Sequence, residues 1–271
     1  MIRSNRPSTL PPMLPTIFVS HGSPMLAIED ASARDFLATL PSILPERPKA
    51  ILMVSAHWER LRPTVNAPAV NETIHDFGGF PPALYQISYP APPSATLAKR
   101  VAELLTAGGM HTDIDPRRGL DHGAWVPLLV AWPGADIPVV QLSVQTHLGP
   151  AHHHELGKLL APLRDEGILI IGSGSFTHDL ASFRTSGGRI DAPEPGWVHS
   201  FAEWMVSALR DQRTDDLLNY RTRAPEAAHN HPTEEHLLPL YVALGAGAGT
   251  VNHLHQSTTY GILRMDAFAF S

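Results

Sequence analysis

Four apolar runs of strand-like length each lead into a polar residue that could take part in chemistry. Such runs alternate with helix-like segments along the chain, which is typical of an α/β domain with a largely parallel sheet. Open sheets of this type bind ligands just beyond the carboxyl ends of their strands. The sequence therefore predicts a single layered α/β domain, with a mostly parallel central sheet flanked by helices and an active site at the carboxyl ends of the strands. The runs are residues 16–20 before His21, 50–56 before His57, 168–171 before the turn that leads to His178, and 138–144 before Gln145 and Thr146.

The absence of cysteine narrows the chemistry that is possible at these strand ends. With none in 271 residues, the chain cannot form disulfides, thiolate nucleophiles or cysteine-bound zinc and iron–sulfur sites. Any metal must therefore be bound by His, Asp or Glu, and the chain has 16 histidines. Imidazoles at several strand ends are the pattern expected of a mononuclear metal centre, so a metalloenzyme is the first hypothesis.

Charge and hydropathy indicate which partners and which cellular location to expect. The net charge of −6 is spread without a basic stripe, which predicts that nucleic acid is not a partner. The apolar runs fall far short of the roughly 20 residues that a membrane-spanning helix needs, so we expect no membrane association and a cytoplasmic location. Polar, Pro-rich residues 1–13 are predicted to form a flexible tail. No linker or repeat divides residues 14–271, which are predicted to form one catalytic domain.

Capping residues and glycines mark helix boundaries between the strands. A partly alternating run near the C-terminus, residues 261–270, instead predicts a strand at the edge of the sheet. Helices are predicted over residues 31–40 behind the cap Asp30, 95–105 behind the cap Ser94, 150–166, and 197–210.

A long segment rich in Pro and Gly, residues 71–93, has neither helical nor strand periodicity. Loops of this length inside a compact domain are usually functional or disordered. Its aromatic residues argue against disorder, so we interpret the segment as an ordered wall or lid. The candidates for the apolar wall of a pocket are Phe77 and Phe80 from this loop, together with Trp58 and Tyr241, although each is equally compatible with ordinary core packing.

His21 and His57 each follow an apolar, strand-like run directly. Gly22 permits a sharp turn and Pro24 ends the strand, so His21 would point into a cleft at the carboxyl edge of the sheet. His57 has the corresponding place after the second run. We favour metal ligation for both, over the alternative of an imidazole held in a turn by backbone hydrogen bonds.

His178 and His236 lie near predicted helix starts. His178 follows a Gly/Ser turn, where the positive end of a helix dipole favours a neutral imidazole. A neutral His near a metal is suited to be a general base, so the roles of base and of ligand are both open. His236 follows Glu234 and Glu235, which are more often dipole partners than ligands, and Pro239 implies either a kink or a later helix start.

The remaining histidines are weaker candidates when taken singly. His122 has Asp121 as a sequence neighbour but not necessarily as a partner, and His75 lies on the long loop. The consecutive histidines 152–154 fan across different faces of a helix, so they cannot all reach one ion. Independent segments nevertheless place His at corresponding topological positions, and the set is a stronger signal than any of its members.

Five motifs together resemble the class III extradiol ring-cleavage dioxygenases, in particular the single-chain 4,5-DOPA dioxygenase type. The resemblance runs in order from about residue 14 to the C-terminus, and the joint occurrence of five motifs is highly specific. The motifs are HGSP at 21–24, SAHW at 55–58, TIHDFGGFP at 73–81, DHG at 121–123 and PTEEHLLPL at 232–240.

This resemblance implies a metal site of three histidines, with non-haem Fe(II) in the active form. It implies that His178 lies close to the metal, as an acid–base residue or a possible fourth ligand, and that His122 lines the substrate pocket. We therefore predict His178 and His122 as catalytic residues, and His75 and His122 as substrate-binding residues. Three histidines would also bind Zn(II) well, so an isolated sample can contain zinc without zinc being the catalytic metal. The implied metal ligands are His21, His57 and His236.

The activity implied by the resemblance is the opening of a catechol (DOPA-like) ring by O2, which gives a semialdehyde product. The expected partners are then a small-molecule catechol and O2, with no obligatory second subunit. Two alternatives stay open. One is a zinc-dependent hydrolase on the same scaffold, in which metal-bound water attacks an ester or amide; the other is a metal-binding protein without catalytic activity.

Overall fold

The computed structural model describes residues 13–185, 188–247 and 249–271, with the side chains of residues 184 and 185 excepted. The predicted tail, residues 1–13, lies outside the described residues except for Met13, so the domain boundary expected there stays a prediction. None of the helices in the described residues has both the length and the apolar character needed to cross a membrane.

The centre of the fold is a sheet whose main strands are buried along almost their whole length. Ten strands are assigned in the described residues: β1 Thr16–Ser20, β2 Ala50–Glu59, β3 Thr64–Asn66, β4 Asp113–Asp115, β5 Val139–Val144, β6 Ile168–Gly174, β7 Val251–His255, β8 Thr258–Thr259, β9 Leu263–Arg264 and β10 Ala267–Phe270. Eight of these strands form one sheet in the order β4-β3-β5-β2-β6-β1-β10-β7, and β8 pairs with β9 separately.

The four central strands β5, β2, β6 and β1 are parallel to one another, which confirms the predicted mostly parallel sheet. The prediction of an edge strand near the C-terminus is wrong, because β10 lies between β1 and β7 and is antiparallel to both. Its alternation is between two buried faces and not between core and solvent: Phe268 and Phe270 pack into one core, and Ala267 and Ala269 into the other.

Helices cover both faces of the sheet. They are α1 Ser32–Ile43, α2 Ala95–Ala107, α3 His122–Ala131, α4 Gly149–Leu160, α5 Leu180–Thr185, α6 Gly196–Arg210, α7 Thr214–Leu218, α8 Tyr220–Arg223, α9 Ala227–Asn230 and α10 Leu238–Ala246. Leu52 and Val54 of β2 share a core with α2, α4, α6 and α10, while Ile51 and Met53 share a second core with α1 and α3. Burial on both faces explains why this run is continuously apolar, and it confirms the layered architecture.

The observed helix boundaries agree with some of the predicted ones and differ from others. Ser94 caps α2 as predicted, since its side chain accepts the Leu97 N–H at 3.2 Å. Asp30 does not cap α1, because the N-cap position falls on Ala31, which makes no side-chain capping hydrogen bond. The helix predicted over residues 150–166 stops at Leu160 and continues as a 3₁₀ turn, because Pro162 lacks the N–H that a continued α-helix needs.

Two glycines in β6 let the start of α10 approach the sheet closely. A Cβ atom on Gly172 would lie 2.1 Å from the Pro239 carbonyl oxygen, and one on Gly174 would lie 2.0 Å from the His236 carbonyl oxygen. Only Gly permits such backbone contact. Helix α10 begins at Leu238 with Pro239 in its first turn, so of the two alternatives the structure has the later start and not the kink.

Candidate metal centre

Three histidines from separate elements meet at the carboxyl edge of the sheet. His21 follows β1, and its backbone N–H donates to the Gly174 carbonyl at 2.9 Å. His57 lies near the end of β2, where the pairing register with β5 shifts; irregularities of this kind re-aim a side chain. His236 reaches the same place because Gly174 admits its backbone. The structure thus brings the three predicted ligands together.

The three rings face a common point with their Nε2 atoms. The Nε2 atoms of His21 and His57 are 3.0 Å apart, and those of His57 and His236 are 3.3 Å apart. For metal–nitrogen bonds of about 2.1 Å, nitrogens at these separations subtend roughly 90–105° at a shared ion. The spacing of these nitrogens therefore suits one shared ion, to which each of the three imidazoles would contribute a nitrogen.

Hydrogen bonds on the far side of two rings fix which nitrogen carries the proton. Ser173 donates its hydroxyl to the Gly123 carbonyl at 2.5 Å, so its oxygen accepts Nδ1–H of His21 at 3.0 Å. His236 donates Nδ1–H to the Glu235 carboxylate at 2.9 Å. Both rings therefore turn an unprotonated Nε2 to the centre. Nε2 of His57 lies 3.0 Å and 3.3 Å from these two nitrogens, so a cation shared by the three rings would have these lone pairs directed at it.

Burial keeps the three imidazoles neutral. The pKa values of His21 and His236 are lowered well below the ordinary value, mainly because the buried rings lose solvation and further because other histidines surround them. Loss of solvation also lowers the pKa of His57 to about 4. A neutral imidazole is the form that binds a metal, so the charge state of the site suits a cation near neutral pH.

His178 stacks on one of the three rings. Its ring centroid is 3.5 Å from that of His236, with an angle of 13° between the planes, and its backbone N–H donates to the Asn230 carbonyl at 2.8 Å. Burial lowers the pKa of His178, while the nearby carboxylate of Glu235 opposes that shift. His178 is thus beside the centre, as the sequence predicted, with a neutral imidazole.

His122 is paired with a carboxylate that the sequence did not single out. Its Nδ1–H donates to Oδ1 of Asp76 at 2.9 Å, and its backbone N–H donates to the same oxygen at 3.0 Å. The other oxygen of Asp76 is 3.7 Å from Nδ1 of His57. Hydrogen bonding and charge attraction from His122 outweigh burial and lower the pKa of Asp76 to about 2. One ionised carboxylate therefore holds His122 and lies close to His57.

Asp121, the sequence neighbour of His122, points away from it into the protein. This fully buried carboxylate accepts the Ser55 hydroxyl at 2.6 Å and Nη2 of Arg118 at 2.8 Å, and it caps α3. It also accepts the Gln141 side-chain amide. Asp121 therefore supports the strand that carries His57 and does not partner His122.

Two separate groups of side chains in the described residues have the spacing of metal ligands. Within each group, the possible ligand atoms lie within 4.8 Å of one another. The groups are His21 with His57 and His122, and His236 with His178 and Glu235. These groupings indicate a possible metal-ion site at the carboxyl edge of the sheet.

A cavity of about 490 Å³ opens over these histidines. Its five histidines, His21, His57, His122, His178 and His236, form what we call the histidine end. Phe77 and Phe80 form one wall, so the long loop is an ordered wall as predicted. The part lined by Leu180, Phe183, Tyr260 and Leu263 is called the apolar end.

Three of the predicted pocket residues lie elsewhere. His75 is not part of the cavity lining, because its Nε2–H donates to the Ile87 carbonyl at 3.0 Å and its ring packs behind Phe77. Direct substrate binding by His75 is therefore not supported. Trp58 is buried in the protein, and Tyr241 lies in a core with its hydroxyl bound to the Leu217 carbonyl, so both have the core-packing role.

The consecutive histidines 152–154 lie on α4 and line no part of this cavity. His153 is buried, accepts the Gln145 N–H at 3.0 Å, and donates to the Gly149 carbonyl at 2.7 Å. These bonds join the start of α4 to the preceding turn, so the role of His153 is structural.

The roles of several supporting residues are not evident from the sequence. In the sequence, Ser173 is recognisable only as part of a Gly/Ser turn, and Asp76 only as a member of a motif. The strained residue Tyr260 carried no signal at all. The available signal for Asp76 was a carboxylate set among aromatic and Gly residues on a long loop, where a partner for a distant His is a natural role.

Comparison with known proteins agrees with this site. A family model described as the catalytic LigB subunit of aromatic ring-opening dioxygenase matches residues 15–267. The chain therefore belongs to the LigB family of aromatic ring-opening dioxygenases. This confirms both the family resemblance found in the sequence and the predicted enzyme class.

Individual relatives match over nearly the whole chain. A 4,5-DOPA dioxygenase extradiol from Beta vulgaris is 45% identical over 261 residues, which cover 94% of this chain and 96% of that protein. A protein of the same name from Escherichia coli K12 is 43% identical over 239 residues, covering 87% and 86%. The crystal structure of an uncharacterized Escherichia coli K12 protein superposes with a TM-score of 0.76 at 34% identity, covering 95% of this chain and all (100%) of the other.

Proposed function

We propose that this protein opens the ring of a catechol with O2 beside the diol, using Fe(II) bound by His21, His57 and His236. The observation that carries the proposal is the convergence of three Nε2 atoms, 3.0 and 3.3 Å apart, under a cavity with aromatic walls. When bound, Fe(II) supplies a route for electrons from the catechol to O2 that redox-inert Zn(II) lacks. Zn(II) suits the same ligands, so an isolated sample can contain it.

His236 is preferred to His122 as the third ligand. Nε2 of His236 faces Nε2 of His57 directly, whereas the ring of His122 lies against the ring of His57, with centroids 3.9 Å apart and planes at 44°. His122 is also bound to Asp76 through both its backbone and its ring, which leaves it as a group that faces substrate.

His178 is assigned as the residue that accepts a proton from a catechol hydroxyl. It lines the cavity, and the pKa lowered by burial keeps its ring unprotonated near neutral pH. Its stacking on His236 directs its nitrogens along its own plane and not at the stacked ring. This geometry supports the acid–base role over that of a fourth ligand.

His122 is assigned as the second acid–base residue. Because its Nδ1 proton is bound to Asp76, its Nε2 is the nitrogen that can exchange a proton with substrate. The hydrogen bond to Asp76 also fixes the orientation of the His122 ring. His122 is thus suited to return a proton as the ring opens, while Phe77 and Phe80 exclude water.

We further propose a DOPA-like catechol as the substrate and a semialdehyde acid as the product. The support is the name shared by relatives that are 43–45% identical. That no second subunit is needed stays a prediction from the sequence, as does the cytoplasmic location.

Oxygen consumption tests this function directly. The protein is loaded with Fe(II) without air, and catechol, 4-methylcatechol and DOPA are added in an oxygen electrode while the absorbance of a yellow product is followed. We expect uptake with at least one catechol, none with the Zn(II)-loaded protein, and none with the variant His236→Ala. No uptake with iron, together with ester hydrolysis by the zinc form, would instead identify a zinc hydrolase.

A further inference from the structure

Tyr260 lines the cavity in a backbone conformation that is rare for an aromatic residue. Its φ is +57°, in the left-handed region that disfavours bulky side chains. The other described non-glycine residues with positive φ, Ala135, Gln212 and Glu226, do not line the cavity. Strained residues of this kind persist where their surroundings hold them, and they cluster at ligand sites.

Three contacts hold the Tyr260 side chain and backbone in place. Its hydroxyl donates to the Glu29 carboxylate at 2.8 Å, and its N–H donates to the Ile190 carbonyl at 3.0 Å. Its ring meets the ring of Phe183 edge-on, with centroids 5.1 Å apart and planes at 86°. The phenol ring is therefore a fixed part of the cavity wall.

The cavity is larger than a bare catechol requires. Its volume of about 490 Å³ falls within the range of sites that enclose drug-sized ligands. Among the ring contacts of the described residues, Tyr260 pairs with Phe183 and with no histidine. A catechol whose diol lies at the histidine end therefore leaves space at the apolar end, where a ring substituent would lie.

A narrow crevice lies on the other side of Tyr260. It is lined by residues that include Leu26, Glu29 and Thr259, and four residues line both this crevice and the main cavity: Gly22, Ser23, Tyr260 and Leu263. The Tyr260 side chain thus forms part of the partition between the two spaces. We propose that Tyr260, held by Glu29, is the specificity-determining residue that limits the length of the catechol substituent; this inference rests on the proposed catechol chemistry.

The test is the variant Tyr260→Gly, which removes the partition and relieves the backbone strain, since Gly adopts positive φ freely. kcat/KM is measured with Fe(II)-loaded protein for catechol and for 4-alkylcatechols from methyl to octyl. In the wild type we expect kcat/KM to fall beyond a limiting chain length. In Tyr260→Gly that limit moves to longer chains, with a gain of roughly tenfold or more for the first excluded homologue relative to catechol.

Two further variants separate this role from a structural one. Gln212→Gly makes the same replacement at a positive φ of 54° outside the cavity lining, and it should keep the wild-type length limit. Glu29→Ala removes the acceptor of the Tyr260 hydroxyl and should shift the limit in the same direction by a smaller amount. An unchanged limit in Tyr260→Gly, or a uniform loss across the series that includes catechol, would overturn the proposal.

A binding measurement keeps the two proposals distinguishable. Dissociation constants of the same 4-alkylcatechols are measured by calorimetry on Zn(II)-loaded protein without air, where no turnover occurs. Suppose that Tyr260→Gly binds longer alkyl chains than the wild type, but that no Fe(II)-loaded form takes up oxygen. This result would support the role of Tyr260 and reject the ring-opening function. Equal length profiles for both proteins would reject the role of Tyr260 even if ring opening is observed.

Discussion

The histidine end and the apolar end of the cavity are held in place by different forces. At the histidine end, Nδ1 of His21, His122 and His236 is bound by Ser173, Asp76 and Glu235 respectively. At the apolar end, shape comes from aromatic and aliphatic packing on loops and short elements, and Tyr260 is held by hydrogen bonds to Glu29 and to the Ile190 carbonyl. Under the proposed function, chemistry depends on the first end, and the choice of substrate depends on the second.

The largest effect is expected from removing a predicted ligand. His21→Ala takes away one of three converging nitrogens, so we expect bound metal and oxygen uptake both to fall below detection. Metal analysis and an oxygen electrode measure this. The matched control His111→Ala alters an exposed imidazole (side chain 71% exposed) and should leave both unchanged; full activity in His21→Ala would end the metal-centre assignment.

Removal of the proposed proton acceptor should separate chemistry from metal binding. In His178→Ala we expect turnover to fall by roughly 10²–10⁴-fold, the usual contribution of a positioned acid–base group, with metal content retained. Steady-state kinetics and metal analysis on the same sample test this. Loss of the metal in this variant would identify His178 as a fourth ligand.

The carboxylate behind His122 should have a smaller effect. Asp76→Ala leaves the Nδ1 proton of His122 without its acceptor, and groups that orient site histidines typically contribute roughly 10–100-fold. We expect this loss in kcat with the metal retained, and partial recovery in Asp76→Glu. Asp113→Ala, on the exposed strand β4, is the control; a loss confined to thermal stability would mean that Asp76 only anchors the loop.

The buried neutral imidazoles also predict how stability depends on pH. The pKa of His57 is lowered from 6.5 to about 4, so the unfolded chain binds this proton first as pH falls. Stability is therefore lost between about pH 6.5 and pH 4, by about 2 kcal/mol for this group between pH 7 and pH 5. Urea unfolding of metal-free protein should show a shallower pH dependence in His57→Gln than in the wild type or in His111→Gln. Equal slopes would contradict the low pKa.

The smallest effect is expected from the aromatic wall. Phe77→Leu keeps an apolar surface but removes the ring that packs on His122, with centroids 5.7 Å apart. We expect KM for a catechol to rise several-fold while kcat stays close to the wild-type value. A fall in kcat of the size expected for Asp76→Ala would mean that the wall also positions His122. The two ends of the cavity would then not have separate roles.

The sequence was sufficient for features that are local or repeated. Continuous apolar runs gave the central strands, and His21, His57 and His236 could be proposed because each stands at a strand end or in a motif. It was insufficient where partners are distant along the chain: Asp76 lies 46 residues from His122, while the adjacent Asp121 points elsewhere. The left-handed conformation of Tyr260 has no sequence signal either, because tertiary contacts and not the residue type impose it.

The hydroxyl of Ser173 has a consequence for how the protein takes up a cation. Because that hydroxyl is committed to Gly123, His21 keeps its proton on the nitrogen that faces away from the centre. Metal sites commonly release protons as they fill. Here the imidazoles are already neutral before the metal binds. We therefore expect metal binding near neutral pH to release few protons and to change the pH of an unbuffered solution very little.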